Sequence, residues 1–217
     1  MSTFATLKAG LKAQGVDLVA VSKTKPVSQI MEIYDQGQRI FGENRVQELV
    51  AKHPQLPDDV EWHMIGHLQT NKVKMIAPFV SMIHSVDSLK LLRTINKEAV
   101  KNDREIDVLL QFKIGEEETK FGLDFDEFVD ALPTSGIEQM GGVRVRGVMG
   151  MASFVFSESQ VRSEFQMLRK YFGKLQEMSF TGPEFDVVSM GMSGDYALAI
   201  EEGSTMVRIG SLIFGQR

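Results

Sequence analysis

The stretch LVAVSKTKPVSQIMEIYDQGQRIFG, residues 18–42, contains the unit from which the fold of this chain can be predicted. Residues 18–22 form a short apolar run rich in valine, as expected of a buried strand. Pro26 then opens a helical pattern that continues to Gln36, since proline is favoured in a first helical turn. A second short apolar run follows at residues 40–42. The order strand, helix, strand predicts two parallel strands joined by a helix.

The same alternation continues through the chain, without a linker, a low-complexity tract or an internal repeat. Eight strands are predicted, nearly all separated by a helix, which favours a closed parallel barrel over an open doubly wound sheet. The fold class is therefore α/β, a single (β/α)8 TIM barrel domain over residues 1–217, with an extra N-terminal helix at residues 1–14. The predicted strands are 18–22, 40–42, 62–65, 82–86, 106–114, 143–149, 186–189 and 206–209, and the predicted helices are 26–36, 45–52, 72–76, 88–101, 124–132, 159–178 and 194–202.

Composition limits the possible classes of function. A chain of 217 residues is long enough for one barrel and too short for a barrel with a second domain of ordinary size. It has no cysteine, so disulfides, thiolate metal sites and a cysteine nucleophile are excluded. The net charge of −5 comes without a long basic run, which argues against a nucleic-acid partner. No segment approaches a membrane-spanning apolar length, so we expect no membrane partner and a cytoplasmic monomer.

Polar or glycine residues follow every predicted strand, at the position where the strand ends. Barrels place their sites at the carboxyl ends of their strands. The alternative for any single position is that strands simply exit into polar loops, but eight such exits together favour a site. The exit residues are Lys23, Glu43 and Asn44, Gly66 and His67, Ser85 and Asp87, Lys113 and Gly115, Gly150, residues 190–193, and Gly210 and Ser211.

The exits after the seventh and eighth strands have the composition of a phosphate site. Glycines let the backbone approach an anion, serine hydroxyls donate hydrogen bonds to it, and a helix N-terminus adds N–H groups. Ser193 lies in the first of these exits, and Gly210 and Ser211 lie in the second. Loops after strands seven and eight commonly hold phosphate in this fold. The alternative is a pair of structural turns, with Ser193 as a helix cap.

Lys23 ends the first strand, at the predicted mouth of the barrel. Among apolar strand residues its ammonium form would be disfavoured by desolvation, and the neutral amine attacks aldehydes. The alternative is a solvated or salt-bridged surface lysine. Lys25 lies two residues further on, before Pro26, and local chemistry alone does not choose between the two lysines.

Three other features have ordinary structural interpretations. His63 and His67 are four residues apart, but on a strand and its exit this spacing does not bring two ligands together, so we predict no metal site. The acidic run at residues 116–118 is interpreted as a solvated loop. The single tryptophan, Trp62, is assigned to the core or the rim of the barrel.

Five segments of the chain, taken together and in order, resemble the pyridoxal phosphate homeostasis proteins. The resemblance covers nearly the whole chain and is far more specific than any one motif. It implies a barrel like the N-terminal domain of alanine racemase, standing alone, that holds the vitamin B6 cofactor pyridoxal 5′-phosphate as a Schiff base on Lys23. The segments are VSKTKP at 21–26, FGEN at 41–44, WHMIGHLQTNK at 62–72, SMGMSGD at 189–195 and VRIGSLIFG at 207–215.

The resemblance also implies roles for other residues of the predicted site. Arg208 would lie against the pyridine nitrogen, and Asn44 would line the pocket near the cofactor. Ser193, Gly210 and Ser211 would hold the phosphate, in agreement with the interpretation of their two loops.

Three positions near this site depart from the family pattern. Arg45 stands where tyrosine is usual, which puts the packing or charge of the rim in doubt. Gly150 stands where a hydroxyl side chain is usual, at the exit of the sixth strand. The exit of the fifth strand, at residues 113–115, lacks the common asparagine. None of these departures involves the predicted cofactor lysine, phosphate residues or arginine.

Two functions from different classes remain open. The first is a binding protein that takes up and releases pyridoxal phosphate and supplies apo-enzymes; the second is a pyridoxal phosphate enzyme, such as an amino-acid racemase. We favour the first, because Arg208 would leave the ring nitrogen unprotonated and the ring a poorer electron sink. A base for the second face of a substrate would also be missing, since the two-domain racemases take it from a second domain. A third alternative, an enzyme acting on a phosphorylated sugar, would use the same loops without needing Lys23.

Overall fold

A computed structural model describes residues 3–115, 121–153 and 157–215, which contain a closed barrel of eight parallel strands. Each strand pairs with the next one in sequence, and the eighth pairs with the first. The strands are β1 (Asp17–Val21), β2 (Ile40–Glu43), β3 (Glu61–Met64), β4 (Met82–Val86), β5 (Ile106–Gln111), β6 (Val143–Met149), β7 (Val187–Ser189) and β8 (Met206–Ile209). The helices are α1 (Thr3–Ala13), α2 (Val27–Tyr34), α3 (Val46–Lys52), α4 (Val73–Ile76), α5 (Leu89–Lys101), α6 (Phe125–Ser135), α7 (Glu158–Gln176), α8 (Tyr196–Glu201) and α9 (Ser211–Phe214).

The predicted fold class and all eight strands are confirmed, and the differences lie at the ends of elements and in one short additional helix. The prediction that the fifth strand reaches residue 114 is wrong: β5 ends at Gln111, and beyond it Phe112 forms only a single bridge, with Leu123. Helix α6 runs past its predicted end and includes Pro133, where only one backbone hydrogen bond is lost near the end of the helix. Helix α9 has four residues, too few to show a hydrophobic period, and was not predicted.

Apolar side chains form two layers, one outside the strands and one inside the barrel. The outer layer lies between strands and helices and includes Trp62, which is 1% exposed, so its predicted core position is confirmed. The inner layer fills the barrel, as expected for eight strands, and makes the interior a packed core and not a channel. Its members are Val19, Met82, Leu109, Met149, Val187 and Met206.

Within the part of the chain that the structure describes, no helix combines the length and the apolar character needed to cross a membrane.

Gly147 in β6 provides a test of the barrel packing. It has a φ of +155°, and a Cβ atom there would lie 1.8 Å from the carbonyl oxygen of Val187 in β7. We expect Gly147→Ala to lower the free energy of unfolding by about 3 kcal/mol, measured by urea denaturation, because the two strands would have to separate. Gly173→Ala in α7 is the matched control, because nothing lies within 4 Å of its added Cβ. That control should raise stability by about 0.5–1 kcal/mol, and similar effects at both positions would show that the contact of β6 with β7 does not require glycine at position 147.

Candidate functional site

A pocket opens at the carboxyl end of the barrel. Its volume is about 600 Å³, which is within the range of small-molecule sites. The closed order of strands places β1 beside β8, with β2 and β7 flanking this pair. All six predicted site residues consequently line the same pocket; they are Lys23, Asn44, Ser193, Arg208, Gly210 and Ser211.

The wall of this pocket combines positive charge with apolar surface. Lys23, Lys25 and Arg208 contribute the charge, and no aspartate or glutamate is found among the lining residues that the structure describes. The apolar part of the wall is formed by Val21, Ile65, Met151 and Met192. Such a wall suits a ligand with an anionic group and an apolar body.

The two lysines of the first exit have different environments. Lys23 is partly buried, two residues after the end of β1. Lys25 donates from Nζ to the carbonyl oxygens of Phe214 at 2.9 Å and Gly215 at 3.5 Å, at the end of α9. These two hydrogen bonds tie the Lys25 side chain to the end of α9. The sequence alone did not predict this contact of Lys25 with the end of α9.

The loops after β7 and β8 bring backbone donors to the pocket. Ser193 Oγ accepts a hydrogen bond from the Gly210 N–H at 3.3 Å, which joins the two loops. Among the described residues, the N–H groups of Ser193, Gly194 and Ser211 have no hydrogen-bond acceptor. These groups are therefore available to an anionic ligand.

The alternative role of Ser193 as a helix cap is not seen. Helix α8 begins after Asp195, whose side chain accepts a hydrogen bond from the Met192 N–H at 2.6 Å. Helices α8 and α9 have only six and four residues, so individual N–H and hydroxyl groups, and not helix dipoles, supply most of the attraction for an anion.

Two glycines set the shape of the pocket wall by close packing. A Cβ atom on Gly66 would lie 2.4 Å from the carbonyl oxygen of Asn44, so the backbone of Asn44 is packed directly against the exit of β3. A Cβ on Gly210 would lie 3.2 Å from the carbonyl oxygen of Val21, at the junction of β1 and β8. Close packing at both positions fixes the backbone from which pocket residues project.

Arg208 is a buried cation whose contacts are neutral. It is 4% exposed, and Nη1 donates to the carbonyl oxygen of Ser189 at 2.8 Å and to Ser189 Oγ at 2.6 Å. Nη2 donates to the carbonyl oxygen of Gly150 at 3.1 Å. Burial lowers the pKa of Arg208 to about 10, so the guanidinium remains charged at neutral pH. These three bonds use only part of its five N–H donors, which leaves donors for a ligand acceptor.

A chain of polar side chains that sequence reasoning missed lies behind Arg208. His63 Nδ1 is 2.9 Å from His84 Nε2, and His84 Nδ1 is 3.1 Å from Ser189 Oγ. Burial lowers the pKa of His63 to about 3 and that of His84 well below its ordinary value. Both rings are therefore neutral at neutral pH and do not repel Arg208. His84 and Ser189 lie in largely apolar strands and belong to no sequence motif. To identify them from the sequence, one would have to know that their side chains face the interior of the barrel.

The remaining predicted exits lie outside the pocket wall. His67 is exposed, stacks on Phe121 with ring centroids 3.8 Å apart, and pairs with Asp87 at 2.8 Å. His63 and His67 thus have different partners and do not converge. Lys113 is exposed and does not line the pocket. The acidic run at residues 116–118 lies outside the described residues.

Two of the departures from the family pattern have clear positions. Arg45 is exposed at the start of α3. Gly150 is buried, and a Cβ there would lie 2.7 Å from Ile114 Cδ1 and 2.9 Å from Leu168 Cδ2. Because its carbonyl oxygen also accepts a bond from Arg208, Gly150 is part of the packing that holds the guanidinium.

Comparison with known proteins identifies the class to which this barrel and pocket belong. The family model described as "Alanine racemase, N-terminal domain" matches residues 3–217. The chain therefore belongs to the alanine racemase N-terminal domain family. It is 41% identical to the pyridoxal phosphate homeostasis protein of Aquifex aeolicus (strain VF5), over 97% of this chain and 91% of that protein. More particularly, then, it belongs to the pyridoxal phosphate homeostasis proteins.

Solved structures agree with this assignment. PipY of Synechococcus elongatus PCC7942, solved without PLP, is 36% identical with a TM-score of 0.89, over 98% of this chain and 100% of that chain. The same protein with PLP bound is 35% identical with a TM-score of 0.86 and the same coverage. Alanine racemase of Clostridium difficile 630 is 13% identical with a TM-score of 0.77, over 100% of this chain and 60% of that chain. At that identity the likeness shows the fold alone.

Proposed function

We propose that this protein binds pyridoxal 5′-phosphate, holds it as a Schiff base on Lys23, and serves the intracellular homeostasis of that cofactor. The observation that carries the proposal is a single pocket shared by Lys23, Arg208 and the two glycine–serine loops. It is supported by relatives that are named pyridoxal phosphate homeostasis proteins and by PipY, whose structure was solved with PLP bound.

The residues of the pocket fit the parts of this cofactor. The N–H groups and hydroxyls of the loops after β7 and β8 would hold the phosphate, and the positive wall would balance its charge. Ile65 and Met151 offer apolar surface to the ring, and Asn44 would line the wall beside it. When bound, pyridoxal phosphate would supply an aldehyde for a primary amine and an electron-withdrawing ring.

Lys23 would form the covalent attachment. Its Nζ, once neutral, would bond to the aldehyde carbon as water is released. Because Lys23 is only partly buried, water would have access to this attachment. A reversible bond of this kind suits uptake and release of the cofactor.

Arg208 would control the electronic state of the ring. A guanidinium donates hydrogen bonds and cannot accept them, so it would face an unprotonated pyridine nitrogen. An unprotonated ring accepts negative charge less readily, which weakens it as an electron sink. This favours a protein that holds the cofactor over one that turns over a substrate with it.

The wall of the pocket also supports a carrier over a racemase. Racemisation needs a base on each face of the substrate. Besides Lys23, the basic groups among the described wall residues are Lys25 and Arg208. Lys25 is held by the carbonyl oxygen of Phe214, and Arg208 stays protonated. Neither is suited to accept a proton from a substrate.

The proposal also names the extent of the binding domain and the recipients of the cofactor. We propose that residues 1–217 act as one binding domain and that the recipients are apo-enzymes that need pyridoxal phosphate. That the protein acts as a monomer in the cytoplasm stays a prediction from its sequence.

Substitution of the two lysines tests the attachment site. Lys23→Ala should abolish the visible absorbance band of the loaded protein and its loss on treatment with borohydride, because the amine is gone. Lys25→Ala is the matched control and should keep both signals. Loss of the signals in Lys25→Ala, with retention in Lys23→Ala, would show that the assignment is wrong.

Ser193→Ala tests the phosphate site. Losing one charge-assisted hydrogen bond costs about 1.5–3 kcal/mol, on the order of tenfold or more in affinity. Titrations should therefore show much weaker binding of pyridoxal phosphate and nearly unchanged binding of pyridoxal, which has no phosphate. Ser28→Ala on the exposed side of α2 is the control and should change neither affinity. Equal losses for both ligands would refute the phosphate role.

Deuterium exchange tests the choice between carrier and enzyme. When an amino acid is added to the loaded protein in heavy water, exchange at its α-carbon should stay near background, because Arg208 weakens the electron sink and a second base is missing from the described wall. Mass spectrometry of the recovered amino acid gives the rate. Turnover of any common amino acid at about 1–1,000 per second, the usual enzymatic range, would favour the enzyme.

A further inference from the structure

Lys23 lies in a tight turn with a strained backbone. The Lys25 N–H donates to the carbonyl oxygen of Ser22 at 3.0 Å, so Lys23 and Thr24 occupy the two central positions. Thr24 has a φ of +64°, in the left-handed region. Turns with positive φ at this position usually carry glycine or asparagine, and a β-branched residue rarely adopts it. Strain of this kind persists only where the surroundings hold it in place.

The N–H group of Thr24 is held by a carboxylate on α3. It donates to Glu48 Oε2 at 2.7 Å, and Lys52 Nζ lies 3.2 Å from the same oxygen. Burial opposes the charge on Glu48, but the hydrogen bonds from Thr24 and Lys52 outweigh it and lower the pKa of this carboxyl group. Glu48 is therefore a charged acceptor that binds a backbone donor beside Lys23.

The residue on the other side of Lys23 is held by the same cluster. Lys52 Nζ donates to the carbonyl oxygen of Ser22 at 2.9 Å and to Glu43 Oε1 at 2.7 Å. Ser22 Oγ donates to the same carboxylate oxygen at 2.6 Å. Burying an ion pair usually adds little to folding stability. Here, however, Lys52 and Glu48 hold the backbone of Ser22 and Thr24, on both sides of Lys23.

We propose that Glu48 is a positioning residue for Lys23: through the Thr24 N–H it maintains the left-handed backbone that keeps the Lys23 side chain at the pocket. The proposal rests on the proposed function of Lys23. Ser193 and Ser211 would fix the phosphate end of the ligand, so the amine must reach the aldehyde from a defined direction. If Thr24 relaxed to an ordinary conformation, the turn would lose that direction while the phosphate contacts remained.

The first experiment separates covalent attachment from phosphate binding. Apo-protein is mixed with pyridoxal phosphate, and the rate at which the visible band appears is measured. Glu48→Ala should slow this rate about tenfold, as expected for the loss of one charge-assisted hydrogen bond. Pyridoxine 5′-phosphate has an alcohol in place of the aldehyde, and Glu48→Ala should bind it with an unchanged dissociation constant. That result would show that the variant barrel is folded. A rate equal to that of the wild type would overturn the proposal.

The second experiment tests whether Glu48 acts through Thr24. Glycine adopts positive φ without a steric penalty, so Thr24→Gly combined with Glu48→Ala should recover most of the lost rate. Glu48→Gln keeps an acceptor oxygen and should be slowed less than Glu48→Ala. If the double variant is as slow as Glu48→Ala alone, Glu48 does not act through the backbone of Thr24, and the proposal is wrong.

A third variant leaves the buried charges intact. Thr24→Pro fixes φ near −65° and removes the N–H group, at a residue that is exposed. It should bind pyridoxine 5′-phosphate normally and form the visible band at least as slowly as Glu48→Ala. A wild-type rate would overturn the positioning role. Different results would refute the proposed function itself: a wild-type protein that forms no visible band, or a Lys23→Ala variant that still forms it.

Discussion

The pocket depends on the burial of one positive charge, the guanidinium of Arg208. Its three hydrogen bonds connect β8 to the ends of β7 and β6, through Ser189 and the carbonyl oxygen of Gly150. No carboxylate among the described residues forms a salt bridge with it. A buried cation with neutral partners favours any ligand that brings an acceptor or an anion. The neutral state of His63 and His84 preserves this preference, since a charged imidazole behind Ser189 would oppose it.

The same charge limits the chemistry that the pocket can support. In the proposed site, Lys23 would provide a reactive amine and the two glycine–serine loops would provide an anchor, a combination that many enzymes also possess. Under the proposed function, a donor-only group at the ring nitrogen and the fixed position of Lys25 would set this pocket apart from an efficient enzyme site. The side chains of one wall would then distinguish a carrier from an enzyme, although the barrel fold itself is shared with alanine racemase.

The sequence predicts the fold well because strand and helix periods alternate clearly, and eight strands in one chain of this size close most simply into a barrel. It also predicts that residues as distant as Lys23 and Ser211 meet, since every exit lies at the same end. The place of Arg208 was implied only by the resemblance to the family. It does not predict the partners of isolated polar residues. His84 and Lys52 have no motif, and their roles depend on which face of a strand or helix they occupy. The strain at Thr24 cannot be predicted from the sequence either, because only the φ angle of this threonine reveals it.

The pairing of β1 with β8 has a consequence for the synthesis of this protein. Lys23 follows the first strand, whereas Arg208 and Ser211 belong to the last strand and the helix after it. Contacts this distant in sequence form late, after most of the chain has left the ribosome. Under the proposed function, a growing chain would therefore display the Lys23 amine long before it has the groups that would hold the phosphate. Selective loading would then become possible only once β8 has paired with β1 and closed the barrel.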